Sequence, residues 1–559
     1  MNENDSVDVL VVGAGPVGLS AAIALARQGR RVHVVERRSA PSTQPRAHVI
    51  NARTMEIFSH WGVADDIVAA GLSPELAKSF SWSTTMAADA LATLDYVSEE
   101  DAEENSPSRL CSCPQDLIEQ TLLEKLAGFP QASIRFGEEL VSLVQTSDRI
   151  VSTVRDADGQ HDVEARYVIG ADGANSTVRE LVDAGLERSE PLGRRVNIYF
   201  HSDLSAVTRD RPNILWFILS PDTSGIFIAL DGHSRWVYSV EVDADTDTAS
   251  LFTPEHCTSV LRLATGVADL RPEIQSVLPW RVDMAIADRW RTGRIFLAGD
   301  SAHQFPPMGG FGMNSGIQDA HNLAWKLDAV LAGVGGDRLL DSYAEERRAV
   351  SVFNANRSMQ NAVNQQKAVE FMADPNVLRM LAAPEGDEIR AIFASGVAQQ
   401  REEFHSQGQQ FGFTYTSSAV VPDGTPVPES TVSFYAQSSH PGARAPYARL
   451  RRPDGTDTTT LDVLARGWTV LAIGDAWTDA VARAARRIGI DIQPVPLAPG
   501  AFADPEGHVA QRYGLDVGGA VLVRPDGHVA ARWAAVPEEV DGALSDALAS
   551  VLGREHVMA

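Results

Sequence analysis

Three glycines near the N-terminus stand at a spacing that can bind a pyrophosphate group. They are Gly13, Gly15 and Gly18 of the segment GAGPVG, in which Pro16 follows the second glycine. Backbone N–H groups at the start of a helix carry partial positive charge, and glycine lets a phosphate approach them closely. We therefore predict that Gly13 makes the tight turn, that Gly15 faces the phosphates and that Gly18 lets helix and strand pack closely.

The elements around these glycines complete a βαβ unit. The run VDVLVV, Val7–Val12, has the near-continuous apolar character of a strand that is buried on both faces. A helix rich in Ala and Leu is predicted over Leu19–Gln28, with Gly29 as its C-terminal cap. A second strand, Val32–Val35, ends at Glu36, whose carboxylate we expect to bind the ribose hydroxyls of an adenosine. The unit predicts a dinucleotide cofactor but does not by itself separate NAD from FAD.

Two later segments, YVIGADG and RIFLAGD, are each a predicted strand that ends in Gly and Asp, at Asp172 and Asp300. Three glycines, Gly309, Gly310 and Gly312, follow Asp300 and lead into a helix. The helix shows apolar residues at spacings of three and four, namely Ile317, Ala320, Ala324, Leu327 and Leu331. Glycines that lead to a helix N-terminus make a second backbone site for negative charge.

A flavin needs two such sites. Its pyrophosphate takes one, and the N1/C2 carbonyl edge, which becomes negative on two-electron reduction, is stabilised by the other. A nicotinamide has no such edge, so the two sites together predict FAD.

The motif set also resembles a known family. GAGPVG with its following Glu, ADG, and GDSAHQFPPMGGFGMNSGIQDAHNLAWKL resemble the single-component class A flavoprotein monooxygenases, the p-hydroxybenzoate and phenol hydroxylase family, over roughly Val7–Arg348. PRAHVINARTMEIF and SCPQ are similar to segments of chlorophenol monooxygenases and of tailoring oxygenases from aromatic polyketide and indolocarbazole pathways. The resemblance implies FAD, NADPH or NADH, and O2. It implies hydroxylation of a phenolic or polycyclic aromatic substrate through a flavin C4a-hydroperoxide, in secondary metabolism such as antibiotic biosynthesis or in aromatic catabolism.

Matching positions imply individual cofactor contacts. Asp300 would hold the ribityl chain, Asp172 would lie near the FAD and the NAD(P)H path, and Pro307 would line the oxygen-reacting face of the ring. An Asp-Gly turn is the alternative for Asp172, and a helix cap is the alternative for Asn314. The other implied FAD contacts are Arg37, Arg46, Arg109, Gln115, Gly310, Gly312, Met313 and Asn314.

Two histidines are candidates for roles near the flavin. His48 lies two residues after Arg46, and the near-neutral reference pKa of histidine suits proton removal from a phenol, so His48 is the candidate catalytic base. A hydrogen bond at a strand end is the alternative for His48. For His303, beside the flavin loop, we expect a structural hydrogen bond.

The sequence leaves the reaction partly open. Baeyer–Villiger oxygenation or epoxidation of a polycyclic ketone or quinone would use the same fold and cofactor. An oxygen-independent flavoprotein dehydrogenase is an alternative of another class, and a flavin-binding protein without turnover is a further one. Reduction of the flavin by substrate without NAD(P)H would identify the dehydrogenase.

The amino-acid composition limits the classes of molecule that we expect the protein to bind. Lys and Arg number 48 against 74 Asp and Glu, a formal net charge of -26, which disfavours nucleic acid. No apolar run approaches the roughly 18 residues of a membrane span, so we expect no membrane partner and a cytoplasmic location. Three cysteines predict neither a disulfide framework nor a zinc site, and we expect no metal. The acidic run Ser98–Glu104 is interpreted as a solvated loop.

The predicted fold class is α/β (α+β multidomain). A Rossmann-like FAD-binding domain with a helical extension is expected over residues 1–190 and 280–410, including a substrate-side insertion at 76–110. Strand-like segments predict an antiparallel substrate-binding sheet over 191–279 that roofs the active site. Its aromatic residues are interpreted as core or, alternatively, as the lining of a pocket: Trp216, Phe227 and Tyr238.

The C-terminal third, 411–559, is expected to be a separate domain. After a helical stretch from Tyr343 to about Gln410, residues Thr416–Pro446 are rich in Pro, Gly, Ser and Thr and indicate a linker. The elements that follow resemble a thioredoxin-like domain: strand-like segments at Trp468–Gly474, Ile490–Val495 and Ala520–Ala530, and a helix at Asp479–Ile488. DAWT stands where a CxxC would be, which excludes thiol chemistry there. The domain is expected to be structural or a dimer contact, and a homodimer is the assembly we consider.

Overall fold

The structure is a computed structural model that describes residues 6–95, 104–220, 222–243, 245–381, 386–464 and 467–554. Most of the acidic run predicted as a solvated loop, Ser98–Glu104, lies outside these residues.

The first sheet has eight strands and is built on the predicted βαβ unit. Its central strand, Ser6–Val12, pairs in parallel with Val32–Glu36 on one side and with Gln160–Gly170 on the other. The remaining strands are Ala132–Phe136, Glu139–Gln145, Ile150–Arg155, Arg291–Thr292 and Ile295–Leu297. The predicted strands and their parallel pairing are confirmed.

Helices bury the apolar strands of this sheet. The helix predicted from Leu19 begins earlier and spans Pro16–Ala26, because proline is well tolerated in the first turn of a helix. It packs against the helix Phe311–Leu331. All five apolar residues that predicted this second helix are buried, so its inner face is confirmed.

The second sheet has seven strands, and each of the predicted strand-like segments of this region forms one of them. In order across the sheet, the strands are Glu273–Val282, Gly193–His201, Arg235–Val242, Gly225–Ala229, Leu215–Ile218, Ser79–Ser83 and Ala92–Asp95. One pairing, Leu215–Ile218 with Ser79–Ser83, is parallel, so the sheet is not wholly antiparallel. The first strand runs past the predicted boundary at residue 279, and the last two come from the predicted insertion.

The three aromatic residues with two alternative interpretations are core residues. Trp216, Phe227 and Tyr238 are at most 2% exposed and belong to one buried apolar cluster. Phe227 packs on Tyr238, with ring centroids 4.3 Å apart.

Helices and short strands complete this part of the chain. The stretch predicted to be helical from Tyr343 to about Gln410 is confirmed as a succession of helices, the first of which begins at Arg338. These helices are Arg338–Ala373, Pro375–Leu381, Gly386–Gln399 and Gln407–Phe411. Further helices are Ala52–Trp61, Ala64–Ala70, Gln115–Ala127, Thr177–Leu181, Ser205–Thr208, Thr248–Leu251 and Pro254–Thr265. Short strands are Val49–Ile50 with Cys111–Ser112, and Leu186–Arg188 with Ala285–Ala287 and His303–Gln304.

The C-terminal region is built on a four-stranded sheet. Its order is Ile492–Leu497, Trp468–Ile473, Ala520–Val523 and Val529–Trp533, with a parallel first pair and antiparallel pairs after it. The strand-like segment Ala520–Ala530 is therefore two strands, because the Pro-Asp-Gly sequence within it turns the chain. The other elements are the hairpin Arg449–Arg451 with Asp457–Thr459, and the helices Thr460–Leu464, Thr478–Ile488, His508–Tyr513 and Val540–Val551.

Within these ranges, no helix is both long enough and apolar enough to cross a bilayer. Nor do the described residues contain a cluster of three or more His, Cys, Asp or Glu side chains arranged to hold a metal ion.

Candidate active site

The glycine cradle follows the first strand. Gly13 has φ +103°, and a Cβ on it would lie 2.4 Å from the Ala171 carbonyl oxygen, so the turn requires glycine. A Cβ on Gly18 would lie 2.0 Å from the Gly13 oxygen, which confirms the predicted close packing of helix on strand. Gly15, the N-cap before Pro16, faces open space, since a Cβ there would meet no heavy atom within 4 Å. The cradle thus presents helix N–H groups to a space that a pyrophosphate fits.

Glu36 lies beside this cradle, at the end of the second strand. Its Oε2 accepts a hydrogen bond of 2.8 Å from the Ala14 amide, and its Oε1 accepts bonds from the amide and the guanidinium of Arg38. Burial opposes ionisation, but these donors outweigh it and lower the pKa of Glu36. The carboxylate is therefore charged, and it is Arg38 that pairs with it, while Arg37 points outward and is exposed.

The segment that carries Arg46 is held against the segment that carries Gln115. The Gln115 amide donates to the Ala47 carbonyl oxygen (2.8 Å), and the Ala47 amide donates to Gln115 Oε1 (3.3 Å). The side-chain Nε2 of Gln115 also donates to Glu119 Oε1 (2.8 Å). The structure thus brings these two predicted cofactor contacts together, and it leaves Arg46 exposed. Arg109 is also exposed.

Asp300 lies in the short 3-10 turn Gly299–Ser301 at the end of the strand Ile295–Leu297. Asp300 is exposed, but the surrounding protein desolvates its carboxylate and raises its pKa. The charges of His303 and Arg46 oppose that rise, so Arg46 and Asp300 lie within electrostatic reach of each other. Pro307, farther along the same segment, is also exposed.

The glycine loop leads into the helix Phe311–Leu331. Gly310, its N-cap, has φ +71° and donates a hydrogen bond of 2.9 Å from its amide to the Pro307 carbonyl oxygen. A Cβ on Gly312 would meet no heavy atom within 4 Å, so this helix N-terminus also opens onto free space. Met313 is half-buried and packs against the core of the first sheet.

The Asn314 side chain points into the protein. Its Oδ1 accepts a bond of 2.9 Å from the Asn51 amide, and its Nδ2 donates to the carbonyl oxygens of Val49 (2.9 Å) and Gly310 (2.6 Å). The side chain is fully buried. It therefore fixes the glycine loop to another segment, and a contact with a ligand from this residue falls to its backbone.

A buried network that sequence reasoning missed supports the Asp300 turn. Asp319 Oδ2 is 2.6 Å from His303 Nε2 and accepts a bond from the Gly299 amide, and Asp319 Oδ1 accepts one of 2.8 Å from Arg347. All three side chains are fully buried. The structural hydrogen bond expected for His303 is confirmed. An acid beside the apolar face of the helix, next to Ala320, is the signal that could have revealed the network.

Asp172 borders the cradle but caps a helix. Its carboxylate accepts bonds from the Ser176 hydroxyl (2.5 Å) and the Val178 amide (3.1 Å), at the start of the helix Thr177–Leu181. Burial raises its pKa. The carboxylate of Asp172 therefore stabilises the start of this helix, whose N-cap is Ser176, while its α-carbon adjoins Gly13.

The surroundings of His48 favour its structural alternative. Its Nδ1 lies 3.1 Å from the Ser112 hydroxyl oxygen, where the short strands Val49–Ile50 and Cys111–Ser112 pair. Burial lowers its pKa to about 4, which makes the neutral ring a weak base. His48 is not among the residues that line the aromatic-walled cavity beside the second sheet, and its catalytic role stays a prediction.

That cavity lies between the second sheet and the helix Arg338–Ala373 and is partly open to solvent. One wall is aromatic, since Trp82 and Phe217 stack with centroids 4.7 Å apart and planes 7° apart. Met308, adjacent to Pro307, forms part of the lining. The cavity therefore adjoins the glycine loop and offers a flat aromatic ring a surface to stack on.

Comparisons with known proteins agree with this arrangement. Residues 6–358 match the family described as FAD binding domain, and residues 438–555 match the aromatic-ring hydroxylase C-terminal family. The chain is 32% identical to 2,4-dichlorophenol 6-monooxygenase of Delftia acidovorans, over 95% of this chain and 97% of that protein. It is 34% identical to aklavinone 12-hydroxylase RdmE of Streptomyces purpurascens, over 99% and 100%.

The fold is also that of a solved relative. The flavin-dependent monooxygenase PieE, in complex with FAD and substrate, superposes with a TM-score of 0.92 at 32% identity, covering 99% of this chain and 100% of that one. The resemblance noted in the sequence is thus confirmed, together with the FAD cofactor. The open glycine cradle and the second helix N-terminus fit that cofactor. The chain belongs to the FAD-dependent aromatic-ring monooxygenases.

Proposed function

We propose that the protein hydroxylates a phenolic or polycyclic aromatic substrate held in the cavity under the second sheet, using O2 and either NADPH or NADH. The observation that carries this proposal is the junction at Met308 and Pro307, where the aromatic-walled cavity meets the glycine loop. A substrate ring stacked on Trp82 and Phe217 would lie in a pocket that adjoins the flavin site. Such a pocket positions the substrate for oxygen transfer.

The aromatic wall of the cavity supports a substrate whose ring can stack on it. The relatives are named for substrates of both kinds, a dichlorophenol and aklavinone. The turnover test therefore includes phenols of one ring and of several rings.

FAD bound at the flavin site would supply the redox chemistry, namely hydride acceptance from NAD(P)H and activation of oxygen. The residues proposed to hold it are those of the two helix N-termini. The amides near Gly15 would bind the pyrophosphate, and those of Gly312 and Met313 would face the pyrimidine edge of the ring system. Asp300 would bind the ribityl chain, and Arg46 would lie beside it. The other proposed contacts are Glu36, Arg37, Arg109, Gln115, Asp172, Pro307, Gly310 and the backbone of Asn314.

We propose a thioredoxin-like topology for the C-terminal domain. Its four-stranded sheet supports this topology, because a parallel pair is followed by an antiparallel hairpin and the first strand of that sheet, Trp468–Ile473, lies inside it. The helices Thr478–Ile488 and Val540–Val551 fit the same topology. We also propose the three domains predicted from the sequence, with the second sheet ending at Val282 instead of residue 279. The homodimer, the cytoplasmic location and the coenzyme preference stay predictions.

The test is a turnover assay on purified protein. We expect a flavin absorption spectrum and substrate-stimulated oxidation of NADPH or NADH with at least one of a panel of phenols and polycyclic phenols. In an atmosphere of 18O2 the product should gain one labelled oxygen atom, with little peroxide released. Protein that cannot take up FAD, or flavin that the substrate itself reduces without NAD(P)H, would contradict the proposal.

A further inference from the structure

Arg195 places a positive charge in the wall of the cavity. It lies on the strand Gly193–His201 and lines the cavity together with Trp82 and Phe217. Its side chain is buried, with 9% of the residue exposed. Among the charged residues of the lining, Glu241 is exposed and Arg194 is half-buried, so Arg195 is the most deeply buried of the three.

The guanidinium of Arg195 has only neutral partners. Its Nε donates to the Ser239 hydroxyl oxygen (3.2 Å) and one of its terminal nitrogens donates to the Ser239 carbonyl oxygen (3.1 Å). No carboxylate of the described residues lies within 4.0 Å of it; Glu241, its partner across the strands, acts on it only through its charge from a longer distance. A guanidinium has five N–H donors, so three of them have no protein acceptor in the described part of the chain.

A buried cation in this state is costly unless something neutralises it. Burial lowers the pKa of Arg195, yet a guanidinium still keeps its proton at neutral pH. Desolvating a charge costs several kcal/mol when no counter-ion is present. The position of Arg195 on the cavity wall lets a bound molecule supply that counter-ion.

We propose that Arg195 binds a carboxylate carried by the aromatic substrate. The inference rests on the proposed function and narrows its substrate to aromatic carboxylic acids. The ring of such a substrate stacks on Trp82 and Phe217, and its carboxylate accepts the free N–H donors of Arg195. A planar guanidinium matches the two oxygens of a carboxylate, so the contact is short and directional.

Because the protein as a whole is negative, a preference for an acid over its ester has to come from Arg195 itself. The protein carries a formal net charge of -26, and the exposed Glu241 adds negative charge at the cavity, so an anion gains little from the general field. A neutral ester of the same acid would leave the buried guanidinium unpaired. The acid should therefore bind at least about tenfold more tightly than its ester.

The experiment compares matched acids and methyl esters on the full-length, FAD-loaded protein. The probes are salicylate, 1-hydroxy-2-naphthoate and 1-hydroxyanthracene-2-carboxylate, each with its methyl ester. Binding is read from flavin absorbance changes and from tryptophan fluorescence, to which Trp82 in the cavity wall contributes, so no turnover is required. We expect at least one acid to bind tenfold or more tightly than its ester, and Arg195→Met to reduce that ratio to less than about threefold.

Two further variants keep the result interpretable. Arg195→Lys keeps the charge and should retain part of the preference. Arg281→Met, on the neighbouring strand, removes an exposed arginine that pairs with Asp283, and it should leave the preference unchanged. Thermal unfolding of each variant shows whether the fold is kept.

Defined results would overturn the proposal. They are an acid that never binds better than its ester in the wild type, an unchanged ratio in Arg195→Met, or an equal loss of preference in Arg281→Met. Failure of the proposed function would look different, because the protein would lack NAD(P)H oxidation or FAD while the acid and ester affinities could still be measured by tryptophan fluorescence.

Discussion

The side chain of Asn314 accepts a hydrogen bond of 2.9 Å from the backbone amide of Asn51, which is 263 residues away in the sequence. With its two further bonds, to Val49 and Gly310, Asn314 connects the glycine loop to the segment that follows Arg46. Because the Arg46 segment and the glycine loop both border the proposed FAD site, this one amide sets the distance between them.

Asn314→Ala should therefore weaken both the fold and FAD binding. It leaves the Asn51 amide and two carbonyl oxygens without their partner, at a cost of about 2–4 kcal/mol in the free energy of unfolding. We expect FAD affinity to fall about tenfold or more in fluorescence titrations. Asn364→Ala, which removes a bond on the partly exposed face of a helix, is the matched control, and equal behaviour of the two variants would contradict the role given to Asn314.

Asp319 is expected to control the Asp300 turn. Asp319→Asn should lose the ion pair with Arg347 and weaken the contacts with His303 and Gly299, because a neutral amide cannot balance the buried guanidinium. Breaking a buried pair from one side costs about 3–5 kcal/mol. The measurements are urea unfolding and the FAD dissociation constant. Asp328→Asn, on the same helix but in a partly exposed pair with Arg30, should change neither quantity appreciably; a similar effect of both would argue against the network.

We expect the buried Arg524 of the C-terminal domain to stabilise the FAD-binding domain. Arg524 donates to both oxygens of Glu346 (2.6 and 2.9 Å), and all of these atoms are buried, as is Lys326, which pairs with the same carboxylate. Arg524→Met should lower the free energy of unfolding by about 3–5 kcal/mol and release FAD at a lower temperature. Arg483→Met removes an exposed pair with Asp541 and should leave Tm unchanged. Loss of C-terminal structure in Arg524→Met without any change in FAD release would contradict the coupling.

These networks mark the limit of what the sequence predicts. Gly13, Gly15 and Gly18 could be assigned because a turn, a phosphate site and a helix packing contact depend on neighbouring residues. The helix containing Asp319 could be assigned from its apolar periodicity. The partners of Asp319 and Asn314 could not, because hydrogen bonds between distant segments leave no periodic signal in a single sequence. The arginine in the cavity wall could not be assigned either, because its place beside the cavity depends on how the strands pair.

His48 is expected to make no contribution to the pH dependence of turnover near neutrality. Because burial lowers its pKa to about 4, the ring is neutral from pH 5.5 upward. The pH profile of kcat/KM near pH 6.5 should therefore be the same in the wild type and in His48→Asn. His48→Asn, in which the amide can still bond to Ser112, should retain coupled turnover within about threefold, whereas a loss of a hundredfold or more, typical of a missing general base, would restore His48 as the catalytic base.

Glu403 is a buried acid near the cavity with no basic partner among the described residues. Its one hydrogen bond comes from Gln365 Nε2 (2.5 Å), its Oε2 has no partner within the described ranges, and burial raises its pKa to about 8. The unfolded chain would ionise near 4.5. Below that pH both states hold the proton, and between 4.5 and about 8 only the folded state does, so Glu403 lowers stability progressively as pH rises through this window.

Glu403→Gln should remove this pH-dependent loss. The variant should be more stable than the wild type by an amount that grows from pH 5 to pH 8 and reaches about 1–3 kcal/mol, because glutamine fills the same space and stays neutral. Urea unfolding at pH 5, 6, 7 and 8 measures the difference. Glu402→Gln, which changes the neighbouring, more exposed acid paired with Arg357, is the control. A difference that stays constant with pH, or that favours the wild type at pH 8, would show that Glu403 is ionised in the folded protein.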